Sequence, residues 1–406
     1  MDITKVAMQT VRYKFDSCVI SAPNLKESYT VPHSAIHNVL LDNDYENYFL
    51  PYFQLDLNLP SSVIRAMKKT PNEIKIDIQM TSLYYNQKDS EQMVPTSTVK
   101  FINARFVAYM EKPSRSIMDS TTEDVEESLG YGVKTVDPNS MEVTKVTLYE
   151  EKILEKMGKT VNYIVTSGNL PDMLTLVLNS AGINNVLLSP PNNYKRYREF
   201  KITPISAKRQ IERLCNHYGI HTNGTLVYFG LERNYIIDKV PKCTAWVTNE
   251  YTITYLYYPG QGAEIGATSA CCGKSASEKA NYIYLTPSMV SFNDLSVPAG
   301  SEYSDSTVAM DSMEGGGGGS DYYVRDSGDN TAAALNRLTK SFGLTATATF
   351  RNVDLEMLTP NKCFNITVDD KKFKQYNANY MITKATTTFI KKGDMFDTVT
   401  MCSFRT

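Results

Sequence analysis

Three local groupings hold residue types that chemistry would need. Cys215, His217 and His221 lie within seven positions and carry a thiol and two imidazoles, the donors of a zinc site. Gly219 is expected to end a helix between the two histidines, so they would not share a face, and no second ligand pair at zinc-site spacing exists. They read instead as a core thiol and two helix-end or turn histidines, where the helix dipole favours an imidazole. Gly260, Gly262 and Gly266 suggest a dinucleotide loop, but the spacing is G-x-G-x-x-x-G and no amphipathic helix follows. Gly273-Lys274-Ser275 resembles the end of a phosphate loop, yet Thr268 stands where the first glycine is needed, which leaves the backbone nest incomplete.

General-base chemistry has little to draw on. The chain has four histidines, His33, His37, His217 and His221, and no Ser, Cys or metal hydrolase signature. A carboxylate pair for glycoside hydrolysis is defined in space rather than in sequence. The densest acidic run, Glu123, Asp124, Glu126 and Glu127, lies among turn formers, where nothing would desolvate a carboxyl and raise its pKa. Asn223-Gly224-Thr225 and Asn365-Ile366-Thr367 match glycosylation acceptors, a chance match in a chain expected to carry no export signal. No catalytic, cofactor-binding or metal-ligating residue is assigned, no cofactor is expected, and the chain reads as a structural protein rather than an enzyme.

What remains is scaffold. A chain of 406 residues exceeds one ordinary core. Its 27 tyrosines and 15 phenylalanines, with one tryptophan and recurrent alternating runs, favour strands. The expected class is mainly β with some α: two small barrel-like domains, an inserted helix and hairpin, and long loops. Lys and Arg number 42 against 44 Asp and Glu, a net charge of −2, so no global field draws the chain to nucleic acid or an anionic membrane. No apolar run is long enough to span a bilayer as a helix. The seven cysteines, Cys18, Cys215, Cys243, Cys271, Cys272, Cys363 and Cys402, are scattered and read as reduced thiols.

Four regions follow. Residues 1–160 form an N-terminal barrel-like domain: apolar residues alternate over Phe53–Leu59, a short helix opens at Pro60-Ser61, and alternation resumes at Ile74–Met80 and Val99–Met110. Within it, 113–145 reads as an acidic loop. Residues 161–258 hold a helix from Leu170-Pro171 to Gly182, a second helix with Thr203 as N-cap, Pro204 at its first position and Gly219 as its stop, and a hairpin of Thr225–Phe229 with Asn234–Asp238. Residues 259–332 form an irregular insertion that includes Gly315 to Gly319. Residues 333–406 form a C-terminal barrel-like domain, closed by a hairpin over Tyr380–Phe404 that turns at Lys391-Lys392-Gly393-Asp394.

The block from Thr203 through His217-Tyr218-Gly219-Ile220 to Leu226–Phe229 and Tyr235-Ile236-Ile237-Asp238 resembles a segment of the central hub proteins of contractile phage baseplates, in which a helix ending HYGI leads to a strand pair ending YIID. That family is related to the base of type VI secretion spike proteins. The strand, short helix, strand order at 48–80 and the C-terminal hairpin fit the same family.

The resemblance implies a homotrimer whose two barrels per subunit form a pseudo-sixfold ring, joining the tail tube to the central spike. Its partners would be the spike, the tube, other baseplate proteins and a tape-measure protein, in a virion tail assembled in the host bacterial cytoplasm. The segments 113–145 and 296–332 would be docking arms. Two other functions stay open: a tail-associated peptidoglycan hydrolase, and a carbohydrate- or receptor-binding module that uses the many tyrosines as stacking faces.

Overall fold

The structure is a computed structural model. It describes residues 9–46, 50–86, 95, 97–110, 140–165, 167–193, 196–197, 200–221, 224–231, 233–239, 250–255, 282–285, 289–294, 344–368 and 371–406. The glycine motifs at 260–275, the acidic run at 123–127, the glycine run at 315–319 and the two expected docking arms, but for 140–145, lie outside the described residues. So do Cys243, Cys271 and Cys272.

In chain order the elements that matter are β1 (Gln9–Ser21), β2 (Ile36–Asp44), β3 (Tyr52–Pro60), α1 (Ser61–Lys69), β4 (Ile74–Asn86), β5 (Ser97–Met110) and β6 (Met141–Glu150). Next come α2 (Glu151–Gly158), β7 (Thr160–Val165), α3 (Leu170–Ala181), β8 (Phe200–Ser206), α4 (Ala207–Glu212), β9 (Thr225–Gly230) and β10 (Arg233–Asp238). The last are β11 (Leu344–Arg351), β12 (Ala378–Lys392) and β13 (Met395–Arg405). The chain is mainly β with few helices, as expected.

Eight strands close a barrel in the cyclic order β12-β2-β3-β6-β5-β4-β1-β13, with β13 pairing back to β12. Its interior follows from alternation. Phe53, Leu55, Leu57 and Leu59 of β3, Ile74, Ile76, Ile78 and Met80 of β4, and Val146 and Leu148 of β6 are all buried, as period-two strands with one inward face require. Helix α1 lies between β3 and β4 and buries Val63, Ile64, Ala66 and Met67.

Barrel and chain segments do not coincide. The expected boundaries at 160 and 333 fail to isolate this barrel, because two of its eight staves are the C-terminal strands β12 and β13. These long strands also serve a second set. In β12, Lys384–Phe389 pairs with β2 while Ala378–Met381 pairs with Cys363–Val368, which in turn carries Glu250–Tyr255 and Tyr282–Leu285. In β13, Phe396 meets Tyr13 of β1 while Val399–Arg405 pairs with β11, which carries Met289–Asp294. A strand of eleven or fifteen residues is long enough to be shared, whereas local alternation does not record its partners.

Two further elements differ from expectation. Thr203-Pro204 lies in strand β8 rather than at a helix start. Pro204 sits at the register shift between Ile202 and Ile205 against β7, where a missing ladder donor is tolerated. The helix begins at Ala207 with the Ser206 hydroxyl accepting from the Arg209 N–H, continues as a wider turn over Arg213–His217, and stops at Gly219 with φ of 71°. Within the expected acidic loop, residues 141–145 belong to β6. The helix Leu170–Ala181 ending at left-handed Gly182, the hairpin β9–β10 and the turn at Gly393 stand as expected.

Barrel closure between β1 and β13 depends on Asn352. Its N–H donates to the Thr398 carbonyl at 2.9 Å, its Oδ1 accepts from the Thr398 N–H at 2.8 Å, and its carbonyl accepts from the Val11 N–H at 2.9 Å. It does so at φ of 52°, in the left-handed region that asparagine tolerates better than other non-glycine residues. Asn352→Ala should therefore lower stability by about 2–3 kcal/mol, from the left-handed strain and the lost acceptor of the Thr398 N–H. Asn352→Gly should cost less than half of that, as read from urea denaturation midpoints.

Candidate functional site

Strands β9 and β10 form the joint of the molecule. Residues 225–230 are all buried, as are Tyr235, Ile236, Ile237 and Asp238. The two faces serve different cores. Leu226, Tyr228, Tyr235 and Ile237 pack into the barrel core, while Val227, Phe229 and Ile236 pack into a second core with Ile153, Leu170, Met173, Val177, Ile211 and Leu214 from the helices.

On the barrel side the hairpin meets a tyrosine-rich, hydrogen-bonded surface. The Tyr228 hydroxyl donates to Asn43 Oδ1 at 2.9 Å, and the Tyr45 hydroxyl donates to the Leu358 carbonyl at 2.9 Å. Their rings lie 4.8 Å apart. Tyr13 accepts from the Leu355 N–H at 3.0 Å and donates to the Val353 carbonyl. Tyr84 donates to Asp354, and Arg233 pairs with Glu356 at 2.6 Å. Burial pushes the Tyr13, Tyr45 and Tyr228 phenols well above their ordinary value of 10.0. Burial also raises the Asp354 carboxyl, opposed by the Glu356 N–H that it accepts.

On the helix side a chain of polar groups ties the hairpin down. The Asp238 N–H donates to Ser189 Oγ at 2.8 Å, and Ser189 Oγ lies 2.9 Å from His221 Nε2. His221 Nδ1 lies 3.1 Å from Thr225 Oγ1, which donates to the Cys215 carbonyl at 3.3 Å. Thr225 gives its one hydroxyl proton to the Cys215 carbonyl, so His221 Nδ1 is the donor toward Thr225 Oγ1, while Nε2 faces both Ser189 Oγ at 2.9 Å and the Ser189 carbonyl at 3.2 Å. A serine, a histidine and an aspartate meet here, but all are at most 3% exposed and Asp238 contributes its backbone N–H. The cluster satisfies buried polar groups and offers no nucleophile to a substrate.

Of the sequence candidates, Cys215 and His221 do come together, through the Cys215 carbonyl rather than its thiol. Burial pushes that thiol up, away from the thiolate that a metal needs. Among the described residues no group of three His, Cys, Asp or Glu could hold a metal ion. Cys18, Cys215, Cys363 and Cys402 are buried thiols outside any disulfide, and burial raises Cys18 to about 12. Sequence reasoning missed Tyr13, Tyr84, Arg233 and Asp354. Tyr13 and Val353 are 340 positions apart, and no local pattern connects them. The one available signal was the unbroken apolar run in β9, which marks a strand covered on both faces.

The joint also has a tight spot. A Cβ on Gly230 would lie 2.5 Å from Pro51 Cγ, and a proline ring cannot rotate away. Gly230→Ala should destabilise by about 1–3 kcal/mol, seen as a lower thermal midpoint, whereas Gly158→Ala, with open space around the Cβ, should not. The tyrosines give a pH test. Their folded pKa values lie above the unfolded value of 10.0, so their contribution is complete below pH 10 and is lost as pH rises through the folded values. Urea midpoints should fall above about pH 10, and phenolate absorbance should appear together with unfolding rather than before it.

The family described as Bacteriophage PBS1 gene 109 protein matches residues 23–254. No curated protein matches the sequence. Among solved structures, the 43 kDa tail protein of prophage MuSo2 from Shewanella oneidensis is 10% identical, with 95% of this chain and 96% of that chain covered and a TM-score of 0.41. A tail protein from Neisseria meningitidis MC58 is 9% identical over 98% and 96%, at 0.43. A type VI secretion component from E. coli, described as structurally similar to T4 bacteriophage tail proteins, is 10% identical over 95% and 76%, at 0.43.

Proposed function

The chain belongs to the family of the Bacteriophage PBS1 gene 109 protein, and from that premise we propose that it is a structural protein of the phage tail, the homotrimeric hub at the centre of a contractile tail's baseplate that joins tail tube to central spike. The observation that carries this reading is the extent of the family match. Residues 23–254 include the whole block Thr203–Asp238 on which the resemblance to baseplate hubs rests, so one matched region contains the phage assignment and the hub-like motif.

The physical chemistry agrees with such a role. The hub-like block is occupied with holding two cores together rather than with presenting reactive groups. Edge backbone along β5 has no partner among the described residues, and exposed edges are tolerated in proteins whose edges are covered on assembly. The near-zero net charge gives little repulsion between copies. The partners would be two further copies, the spike, the tube, other baseplate proteins and a tape-measure protein, at the tip of the virion tail.

Light scattering on the purified full-length chain should give the mass of three chains, and antibodies to the chain should label the distal end of the tail in purified virions. Virions that lack the chain, or that carry it only in the head, would sink the proposal.

A further inference from the structure

The seam between β5 and β6 is incomplete in a specific way. The two strands pair only between Phe106–Met110 and Val146–Glu150. Beyond Glu150 the chain leaves the barrel as α2, while β5 continues on its other side against β4 as far as Ser97, with a register shift at Phe101. Residues 102–105 therefore form a regular strand edge with no partner among the described residues. It lies in line with the position that β6 has just vacated.

That edge faces a recess of about 180 Å³, walled by residues 100–105, Glu150, Lys152 and Leu231. Its charge is one-sided. Lys100 and Lys152 are exposed and have no carboxylate partner among the described residues. Arg105 shares its guanidinium with Asp77 in a two-bond fork, at 2.7 and 3.0 Å. The wall's one carboxylate, Glu150, is buried and accepts from the Leu231 N–H at 2.7 Å.

We propose that this slot binds an extended acidic peptide of a partner protein by strand addition, with the peptide continuing the barrel along Ile102–Arg105 beyond the end of β6. Backbone bonds to β5 would supply the general attraction, and Lys100 and Lys152 would select carboxylates. The side chains of the incoming strand would alternate between the recess and solvent. The inference goes beyond the hub reading and does not depend on it, since any partner with such a segment would fit.

The experiment uses the full chain and a fluorescein-labelled eight-residue peptide that alternates glutamate with valine and threonine, followed by fluorescence polarisation at low salt. Saturable binding is expected, and the same peptide with lysine in place of glutamate should not bind. Lys100→Glu and Lys152→Glu, both at exposed positions, should each weaken binding roughly tenfold. N-methylation of alternate peptide residues should abolish binding on one edge of the peptide and spare it on the other.

Equal binding of the acidic and lysine peptides would overturn the proposal. So would undiminished binding of both N-methylated forms, which would mean charge attraction without strand pairing. If neither peptide binds and Lys100→Glu lowers the light-scattering mass, a second copy of the chain occupies the edge, and the proposal of a foreign acidic strand fails.

Discussion

One hairpin with two buried faces sets the terms for the rest of the structure. Strands β9 and β10 have no solvent side: the even positions of β9, Leu226 and Tyr228, enter the barrel core, and the odd ones, Val227 and Phe229, enter the helix core. A one-residue slip in such a strand would exchange the two sets. It would place Val227 or Phe229 against the polar acceptor Asn43 Oδ1, which would lose the Tyr228 phenol. Register is thus fixed from both sides, and each core stabilises the other. Burial of a large apolar side chain contributes about 1.5–3 kcal/mol, so the seven hairpin side chains couple the cores strongly enough that neither is expected to melt alone.

The second constraint is topological. The barrel takes six staves from the first 150 residues and two from the last 30, and the same two staves continue into a second set of strands. Closure therefore waits for the C-terminus. The contact Tyr13 to Phe396 and the bonds of Asn352 join segments more than 340 positions apart in the case of Val11 and Asn352. The cost of closing so long a loop must be met before the contacts form, which makes folding slow.

The strands were legible in the sequence wherever one face is wet. Phe53–Leu59 and Ile74–Met80 alternate cleanly because the barrel has an inside and an outside. The helix at Leu170 was legible because Pro171 and Gly182 mark its two ends, and the structure adds the Asn169 side chain as its cap. The helix start at Thr203 was misread because Pro204 fits two local rules, first helical position and strand irregularity, and only pairing with β7 decides between them. The start of β6 was lost in the expected acidic loop because residues 141–145 bury no side chain, and the inward row begins only at Val146. The joint was half legible. The hairpin could be read from its two runs, but its tyrosine and asparagine partners come from distant segments and leave no local trace.

Glu150 links the open edge to the joint, because it ends β6 and also bonds to the hairpin tip. The turn between β9 and β10 holds Leu231 at φ of 50°, a conformation that costs a branched residue about 1–2 kcal/mol. The Glu150 carboxylate accepts from the Leu231 N–H at 2.7 Å, and a charge-assisted bond of this kind contributes about 1.5–3 kcal/mol, enough to offset that strain. The last residue of β6 thus docks the hairpin tip on the barrel, and the chain then leaves as α2 beside the uncovered edge at 102–105 of β5.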